Sequence, residues 1–322
     1  MIATLFDPEQ LARTLRLADH GTRVILLAVG LLGLVGGVVG CFVLLRKRSL
    51  LGDALSHATL PGLCLAFAAS LAWGGTGKSL PVLLVGATLT GLAGVGCLLA
   101  VRHFTHLKED VGLAIVLAGF FGLGAAMLPI VSRLPGGSAA GLERFIYGKT
   151  TSIVLADAWL IAAVAAACLL LILLFYKPLK LLCFDEAFAA SLGWAVLWLD
   201  VLLMGLVTLV TIVALQAVGL ILAIAILIIP AASARFWTDK LPVMLAVAAG
   251  LGAVSAGAGA AFSASAAARM PAGAVIVLAA SVVFFVSMLL GSQRGILVRR
   301  RRVRLAFEPA AVEVSSSAGG VS

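Results

Sequence analysis

Residues 24–48 read VILLAVGLLGLVGGVVGCFVLLRKR, an apolar run that ends in three basic residues. A helix needs about 20 mainly apolar residues to cross the hydrocarbon core of a bilayer, and this run is long enough to do so. It is too long for the apolar core of a signal peptide, and residues 1–22 before it are polar, so we expect no removable signal peptide. The basic triplet predicts that the run ends on the cytoplasmic side.

The composition extends this membrane interpretation to the whole chain. Of the 322 residues, 62% are apolar and 11% are charged, whereas a soluble domain has about half and about a quarter. A disordered chain, a secreted disulfide scaffold and a plain soluble enzyme are therefore excluded. The five cysteines are widely spaced and predict no disulfide framework or cysteine metal site. The net charge of +9 lies in short clusters between apolar segments, so it indicates helix orientation rather than a nucleic-acid partner.

Nine apolar stretches are candidates for spanning helices. They are residues 24–45, 49–73, 80–101, 111–131, 153–176, 197–215, 217–234, 241–265 and 273–290. The two stretches between 197 and 235 must be joined by a turn near Gln216. The alternative is one long tilted helix with a re-entrant piece. We therefore predict an all-α polytopic membrane protein with eight or nine transmembrane helices. Most Lys and Arg residues fall on the side that places the N-terminus outside and the C-terminus in the cytoplasm.

The chain divides into three parts at this level. Residues 1–22 form a polar N-terminal segment, residues 23–292 a transmembrane domain, and residues 293–322 a basic tail that we expect to be disordered. Residues 72–79, AWGGTGKS, match a permissive phosphate-loop pattern. That motif needs a strand before it and a helix after it, but here it lies between two membrane helices on the outer side. We interpret it as a Gly-rich turn, so ATP hydrolysis must come from another chain.

Three residues of the second span suggest a metal site. Asp53, His57 and Pro61 follow at intervals of four and so share one helix face within the membrane zone, where ionisable groups normally face a protein interior or an aqueous path. Pro61 has no amide hydrogen for the carbonyl of His57. A carboxylate, an imidazole and a freed carbonyl suit Mn²⁺, Fe²⁺ or Zn²⁺. The alternative stays open: Asp53 caps the helix or pairs with the Arg46–Arg48 cluster, and His57 is an interior hydrogen-bonding group.

Other ionisable residues are weaker candidates. His103 and His106 flank a predicted cytoplasmic helix end and are expected to be solvated. Asp200 is either a second polar contact on the path or part of an interfacial anchor with Trp194. His20 lies in the polar N-terminal segment and is expected to be uninvolved.

Residues 177–196 are too short and too polar to span the membrane. Asp185 and Glu186 open a short helical pattern that carries Phe184, Phe188 and Leu192 on one face and stops at Gly193. An amphipathic helix of this kind suits insertion into a groove of a soluble cytosolic partner. A helix that lies on the membrane interface is the alternative.

Several blocks of the sequence resemble one family. Residues 44–62, LLRKRSLLGDALSHATLPG, are similar to the start of the membrane permeases of manganese, zinc and iron ABC importers, the ABC-3 family. LKEDVGLAIV (107–116), GLERFIYG (141–148), FDEAFAASLG (184–193) and LQAVGLILAIAILIIPAASAR (215–235) follow in the order of that family. The resemblance covers about residues 24–290.

The resemblance implies a permease subunit with a type II ABC importer-like fold in a bacterial inner (plasma) membrane. It would dimerise in membrane lipid, with a second copy or a sister permease, over a cytosolic ATP-binding subunit. An extracytoplasmic metal-binding protein would deliver the ion. No cofactor is implied, since a divalent metal ion is the transported substrate and ATP is bound by the partner subunit.

The resemblance also suggests residue roles. Asp53 and His57 match the intramembrane metal ligands of the family, and residues 184–193 match the segment that couples to the ATPase. Pro61 and Pro230 are expected to bend helices along the path, and residues 132–152 to receive the binding protein. GLERFIYGKTTS (141–152) favours manganese over zinc. The alternatives are a secondary transporter or channel, which an inverted repeat with broken helices would favour, and a membrane-embedded hydrolase, for which no HExxH or GxSxG motif is present.

Overall fold

The computed structural model describes residues 20–73, 80–133, 153–265 and 271–298, and every regular element in these ranges is an α-helix. The helices are α1 (His20–Leu45), α2 (Leu51–Ala58), α3 (Leu60–Ala72), α4 (Leu80–Phe104), α5 (Glu109–Ser132), α6 (Leu155–Leu174), α7 (Tyr176–Phe184), α8 (Glu186–Ser191), α9 (Val196–Val218), α10 (Leu220–Trp237), α11 (Leu241–Ser265) and α12 (Ala272–Leu290). Most of the N-terminal segment, the Gly-rich turn, most of the 132–152 loop and the end of the tail lie outside these ranges.

The described helices agree with the predicted membrane architecture. Eight segments are long and apolar enough to cross a membrane, and α10 is a shorter apolar helix. The ambiguous stretch between 197 and 235 forms two helices, of which α9 is long enough to span the membrane and α10 is shorter. They meet at Gly219 rather than near Gln216, which lies in the last turn of α9. Gly219 has a φ of 86°, a conformation that a residue with a Cβ rarely adopts.

The second predicted span consists of two helices, α2 and α3, with a break at Thr59. Pro61 lies in the first turn of α3, where a missing amide hydrogen is tolerated because that turn has no intrahelical acceptor. Helix α2 packs against α4, α5, α9 and α10, so its residues are held by four neighbours. This short helix carries Asp53 and His57.

Helix α1 packs closely against α10 and α11 through glycines. A Cβ on Gly33 would lie 2.3 Å from the Gly252 carbonyl oxygen, and one on Gly252 would lie 2.1 Å from the Gly33 carbonyl oxygen. A Cβ on Gly40 would lie 1.8 Å from the Leu227 carbonyl oxygen. The backbones are thus in direct contact, which is how membrane helices associate in the absence of a hydrophobic driving force between them.

Helices α5, α6 and α12 are the least enclosed of the candidate spans. Large apolar side chains on them are exposed, among them Ile130 at 67%, Leu173 at 73% and Leu278 at 66%. Surfaces of this kind are solvated by acyl chains or covered by another membrane chain. The enclosed helices α1, α2 and α9 therefore form the centre around which the site is built.

Candidate metal site and ion cluster

Asp53 and His57 contact each other across one turn of α2. The His57 Nε2 atom lies 3.4 Å from the Asp53 Oδ1 atom, and 18% and 32% of the respective side chains are exposed. Two ligands of one tetrahedral ion, each about 2.1 Å from it, are separated by about 3.4 Å. The pair is therefore spaced as two ligands of a single ion would be.

The second ring nitrogen of His57 is also without a hydrogen bond. Its Nδ1 atom is buried and has no partner within the residues that the structure describes. The ring of Phe121 on α5 packs edge-on against the imidazole, with 4.7 Å between ring centroids. Phe121 thus contacts one side of the imidazole.

Close packing of α5 on the α2–α3 break holds the pair in place. A Cβ on Gly124 of α5 would lie 2.7 Å from Leu60 Cβ and 3.2 Å from the Pro61 ring, so only a glycine allows this approach. The hydroxyls of Ser56 and Thr59 donate to carbonyls of their own helix turn, those of Gly52 and Ser56. Helix α5 thus contacts both His57, through Phe121, and Pro61, through Gly124.

Within the part of the chain that the structure describes, Asp53 does not occupy the N-cap position of α2. The N-cap of α2 is Leu50, and it makes no side-chain capping bond. Arg46 and Arg48 bind other carboxylates, described below. In the described ranges there is also no cluster of three or more His, Cys, Asp or Glu side chains. The pair in one chain thus supplies two side-chain ligands, fewer than the four or more that a transition-metal ion takes.

Near the N-terminal end of α2, three arginines surround two carboxylates. We call Arg46, Arg48, Arg102, Glu186 and Asp200 the ion cluster. Asp200 is fully buried and accepts two bonds from Arg48, at 2.6 Å and 3.1 Å, and one from Arg102 at 2.5 Å. Arg46 donates to Glu186 at 2.9 Å and to Asp200 at 3.3 Å, and Arg102 donates to Glu186 at 2.8 Å. Asp200 is therefore a buried structural anion, neither a path contact nor an interfacial anchor with Trp194.

The turn between α1 and α2 directs two of these arginines inward. Lys47 has a φ of 59° and its side chain is exposed, whereas the flanking Arg46 and Arg48 point into the protein. Burial acts to raise the pKa of Glu186, but hydrogen bonds and charge from Arg46 and Arg102 outweigh it and hold that pKa below the usual 4.5. The sequence did not predict this cluster. The indication that it offered was the presence of two acidic residues and three arginines near predicted helix ends.

The predicted coupling segment forms two short helices, α7 and α8. Asp185 caps α8, since its Oδ1 atom accepts a bond from the Phe188 amide at 2.8 Å. Gly193, with a φ of 82°, follows the end of α8. The predicted apolar face is exposed, with Phe184 at 58%, Phe188 at 50% and Leu192 at 55%. An exposed apolar face of this kind is suited to a contact with another chain.

The remaining candidates lie apart from the pair. His103 and His106 are exposed, as predicted. Pro230 is buried within α10, where its ring lies close to Gly37 of α1 and Gly252 of α11. The side chain of His20 lies outside the described residues.

At the opposite end of α9, a second buried polar contact joins two helices. The Gln216 amide donates to the Asp157 Oδ1 atom at 3.3 Å, and Asp157 also accepts a bond from the Val154 amide at 3.2 Å. This contact ties the start of α6 to the end of α9. Both ends of α9 are thus fixed by buried carboxylates.

Comparisons with known proteins agree on one group. The model of the ABC 3 transport family matches residues 20–291. The manganese transport system membrane protein MntC of Bacillus subtilis (strain 168) is 41% identical over 290 residues, which are 90% of this chain and 65% of that protein. The zinc transport system membrane protein TroC of Treponema pallidum (strain Nichols) is 42% identical over 294 residues, which are 90% of this chain and 97% of that protein. The structure of PsaBC from Streptococcus pneumoniae in complex with Fab gives a TM-score of 0.74 at 31% identity and covers 91% of this chain and 98% of that chain.

Proposed function

The chain belongs to the ABC 3 transport family, and from this premise we propose that it is the membrane-spanning permease subunit of an ATP-driven importer of divalent transition metal ions. Relatives named for manganese and for zinc transport support the substrate class. The subunit forms the path for the ion and is not itself an enzyme, because a separate ATP-binding subunit hydrolyses ATP. The eight apolar spans among the described residues are those of a multi-pass protein of a bacterial inner membrane.

Asp53 and His57 hold the ion on its way through the membrane. A dication cannot cross hydrocarbon, but a carboxylate and an imidazole on a wet path replace part of its hydration shell. The observation that carries this assignment is the 3.4 Å separation of two ligand atoms whose side chains are partly exposed within a membrane span. A second permease, either another copy or a sister chain, faces this open side and contributes further ligands.

The segment from Phe184 to Gly193 transmits conformational changes of the ATPase to the membrane helices. Its three exposed apolar side chains dock in a groove of the cytosolic ATP-binding subunit, and Asp185 stabilises the helix that presents them. In this orientation the ion cluster and the C-terminus are cytoplasmic. Residues 132–152, most of which lie outside the described residues, face the extracytoplasmic metal-binding protein. Pro61 and Pro230 bend helices beside the path.

The test of the metal site uses two substitutions, Asp53→Ala and His57→Ala. Each should abolish metal uptake by vesicles that contain the permease and its ATPase, because half of the ligands of the chain are lost. Assembly with the ATPase and ATP binding should be unchanged. Uptake is measured as accumulation of ⁵⁴Mn²⁺, with ATP supplied on the side of the vesicle membrane where the ATPase lies.

Ser56→Ala is the matched control on the same helix. Among the described residues its hydroxyl bonds only to the Gly52 carbonyl of its own turn, so uptake should remain at the wild-type level. Uptake at normal rates in both the Asp53→Ala and the His57→Ala variants would show that the site lies elsewhere. Uptake that needs no ATPase would favour a secondary transporter or channel.

Manganese is the favoured ion. Both the GLERFIYGKTTS sequence and the relatives named for manganese support it. Competition among Mn²⁺, Zn²⁺ and Fe²⁺ for uptake in the same vesicles tests this choice. If Zn²⁺ inhibits uptake more strongly than Mn²⁺ does, zinc is the favoured ion instead of manganese.

A further inference from the structure

The ion cluster connects the coupling segment to the helix that carries the metal ligands. Glu186 is the first residue of α8. Arg48 lies just before α2, and its carbonyl accepts a hydrogen bond of 2.9 Å from the amide of Leu51, the first residue of that helix. The position of Arg48 therefore sets where α2 begins.

The two ends of the cluster differ in how firmly they are held. Arg48 and Asp200 are 2% and 0% exposed and form a two-bond ion pair. The side chain of Glu186 is 39% exposed. It borders a cavity of about 240 Å³ whose lining consists of Leu99, Arg102, His103, Glu186, Val196 and Leu197. Glu186 thus has room to move, whereas the Arg48–Asp200 pair does not.

Two arginines are shared between the ends. Arg46 contacts both Glu186 and Asp200, and so does Arg102. A displacement of Glu186 must therefore either pull these guanidinium groups from Asp200 or move Asp200 and its partner Arg48 with them. Asp200 and Arg48 are removed from water, so separating the arginines from Asp200 is unfavourable, and the cluster favours movement as a unit.

From these contacts we propose that Glu186 is a positioning residue of transport: it passes displacement of the coupling segment, through Arg46 and Arg102, to Arg48 and thereby to α2. The proposal rests on the proposed function, since it concerns how the ATPase moves the metal-binding helix. When the charge of Glu186 is absent, α8 moves without α2. ATP hydrolysis then continues while the ion is not carried.

The experiment measures metal uptake and ATP hydrolysis in the same vesicles, with the permease assembled with its ATPase. Glu186→Gln should lower the ratio of ions imported to ATP hydrolysed by about tenfold, the size of a typical coupling between two sites. ATP hydrolysis and assembly should stay close to wild type. A role in helix structure alone would reduce assembly or hydrolysis and leave this ratio unchanged.

Four further variants sharpen the result. Glu186→Asp keeps the charge and should restore part of the ratio. Arg102→Gln removes one of the two shared arginines, so Glu186→Gln combined with Arg102→Gln should lower the ratio no further than Glu186→Gln alone. Asp239→Asn, which breaks the exposed pair between Asp239 and Arg294, should leave the ratio unchanged.

The outcomes separate this inference from the proposed function. A wild-type ratio in Glu186→Gln, or loss of assembly in both Glu186→Gln and Glu186→Asp, overturns the positioning role. The metal-site assignment then still stands if Asp53→Ala abolishes uptake. Conversely, a lowered ratio in Glu186→Gln with normal uptake in Asp53→Ala would retain the positioning role of the cluster and reject the metal site.

Discussion

At the scale of single residues, the buried carboxylate of Asp200 organises one end of the molecule. It is 0% exposed and contacts three arginines, one of which, Arg48, is itself 2% exposed. A buried ion pair adds little net stability over an apolar pair, but removal of one partner leaves an uncompensated charge inside the protein. The cluster is therefore sensitive to loss of a carboxylate.

The corresponding prediction concerns Asp200→Asn. This change should lower the free energy of unfolding by about 3–5 kcal/mol, because Arg48 is left buried without its carboxylate. Thermal unfolding of the purified permease in detergent measures the effect. Asp239→Asn, at an exposed ion pair, should cost about 0–1 kcal/mol. Equal losses in the two variants would contradict the structural role of Asp200.

The residue scale also shows what the sequence could predict. Asp53 and His57 are four residues apart, so a local spacing was enough to place them together. The ion cluster joins residues that are 98 and 152 positions apart in the chain, as in the bonds of Asp200 with Arg102 and with Arg48. No local pattern records such a pairing, because it depends on how α4, α8 and α9 meet.

At the scale of helices, glycines decide which elements come into contact. Gly33 of α1 and Gly252 of α11 each lie against the carbonyl of the other. On α3 and α4, a Cβ on Gly62 would lie 2.1 Å from the carbonyl oxygen of Gly86. The spans themselves were predictable from apolar length, but which glycines meet was not, since many other glycines have no close neighbour.

Two glycines of α11 test this point. Gly252→Ala should destabilise the fold by about 1–3 kcal/mol, since its Cβ would lie 2.1 Å from a backbone atom and the two helices must separate. Gly250→Ala, two residues away, meets nothing within 4 Å and should be neutral or stabilising by up to about 1 kcal/mol. Thermal unfolding in detergent compares them. A larger loss at position 250 than at 252 would contradict the packing.

At the scale of the whole molecule, some helices are more deeply buried by their neighbours than others. The side of α2 that carries Asp53 is partly open, and α5 beside it presents exposed small residues such as Ala118 and Gly122. The proposed metal site has two side-chain ligands in one chain, so it is incomplete alone. A two-fold related copy packed across α5 would bring a second Asp53 and His57 to the first pair.

A cysteine cross-link tests this arrangement. In a chain whose exposed Cys97 is replaced by Ser, Ala118→Cys should form a disulfide-linked dimer in membranes under mild oxidation. Val282→Cys on α12, which is 61% exposed, serves as the control and should stay monomeric on a non-reducing gel. A dimer at position 282 and none at position 118 would place the second permease against a different face.

The division between α2 and α3 at Thr59 is a point at which the segment with the proposed metal ligands can bend. Six residues of helix separate Asp53 from Thr59, a lever of about 9 Å. A tilt of about 20° at this joint, an angle that helix kinks commonly reach, sweeps the Asp53 carboxylate through about 3 Å. Because a metal–oxygen bond is only about 2 Å long, a displacement of this size is enough to separate the Asp53 carboxylate from the ion.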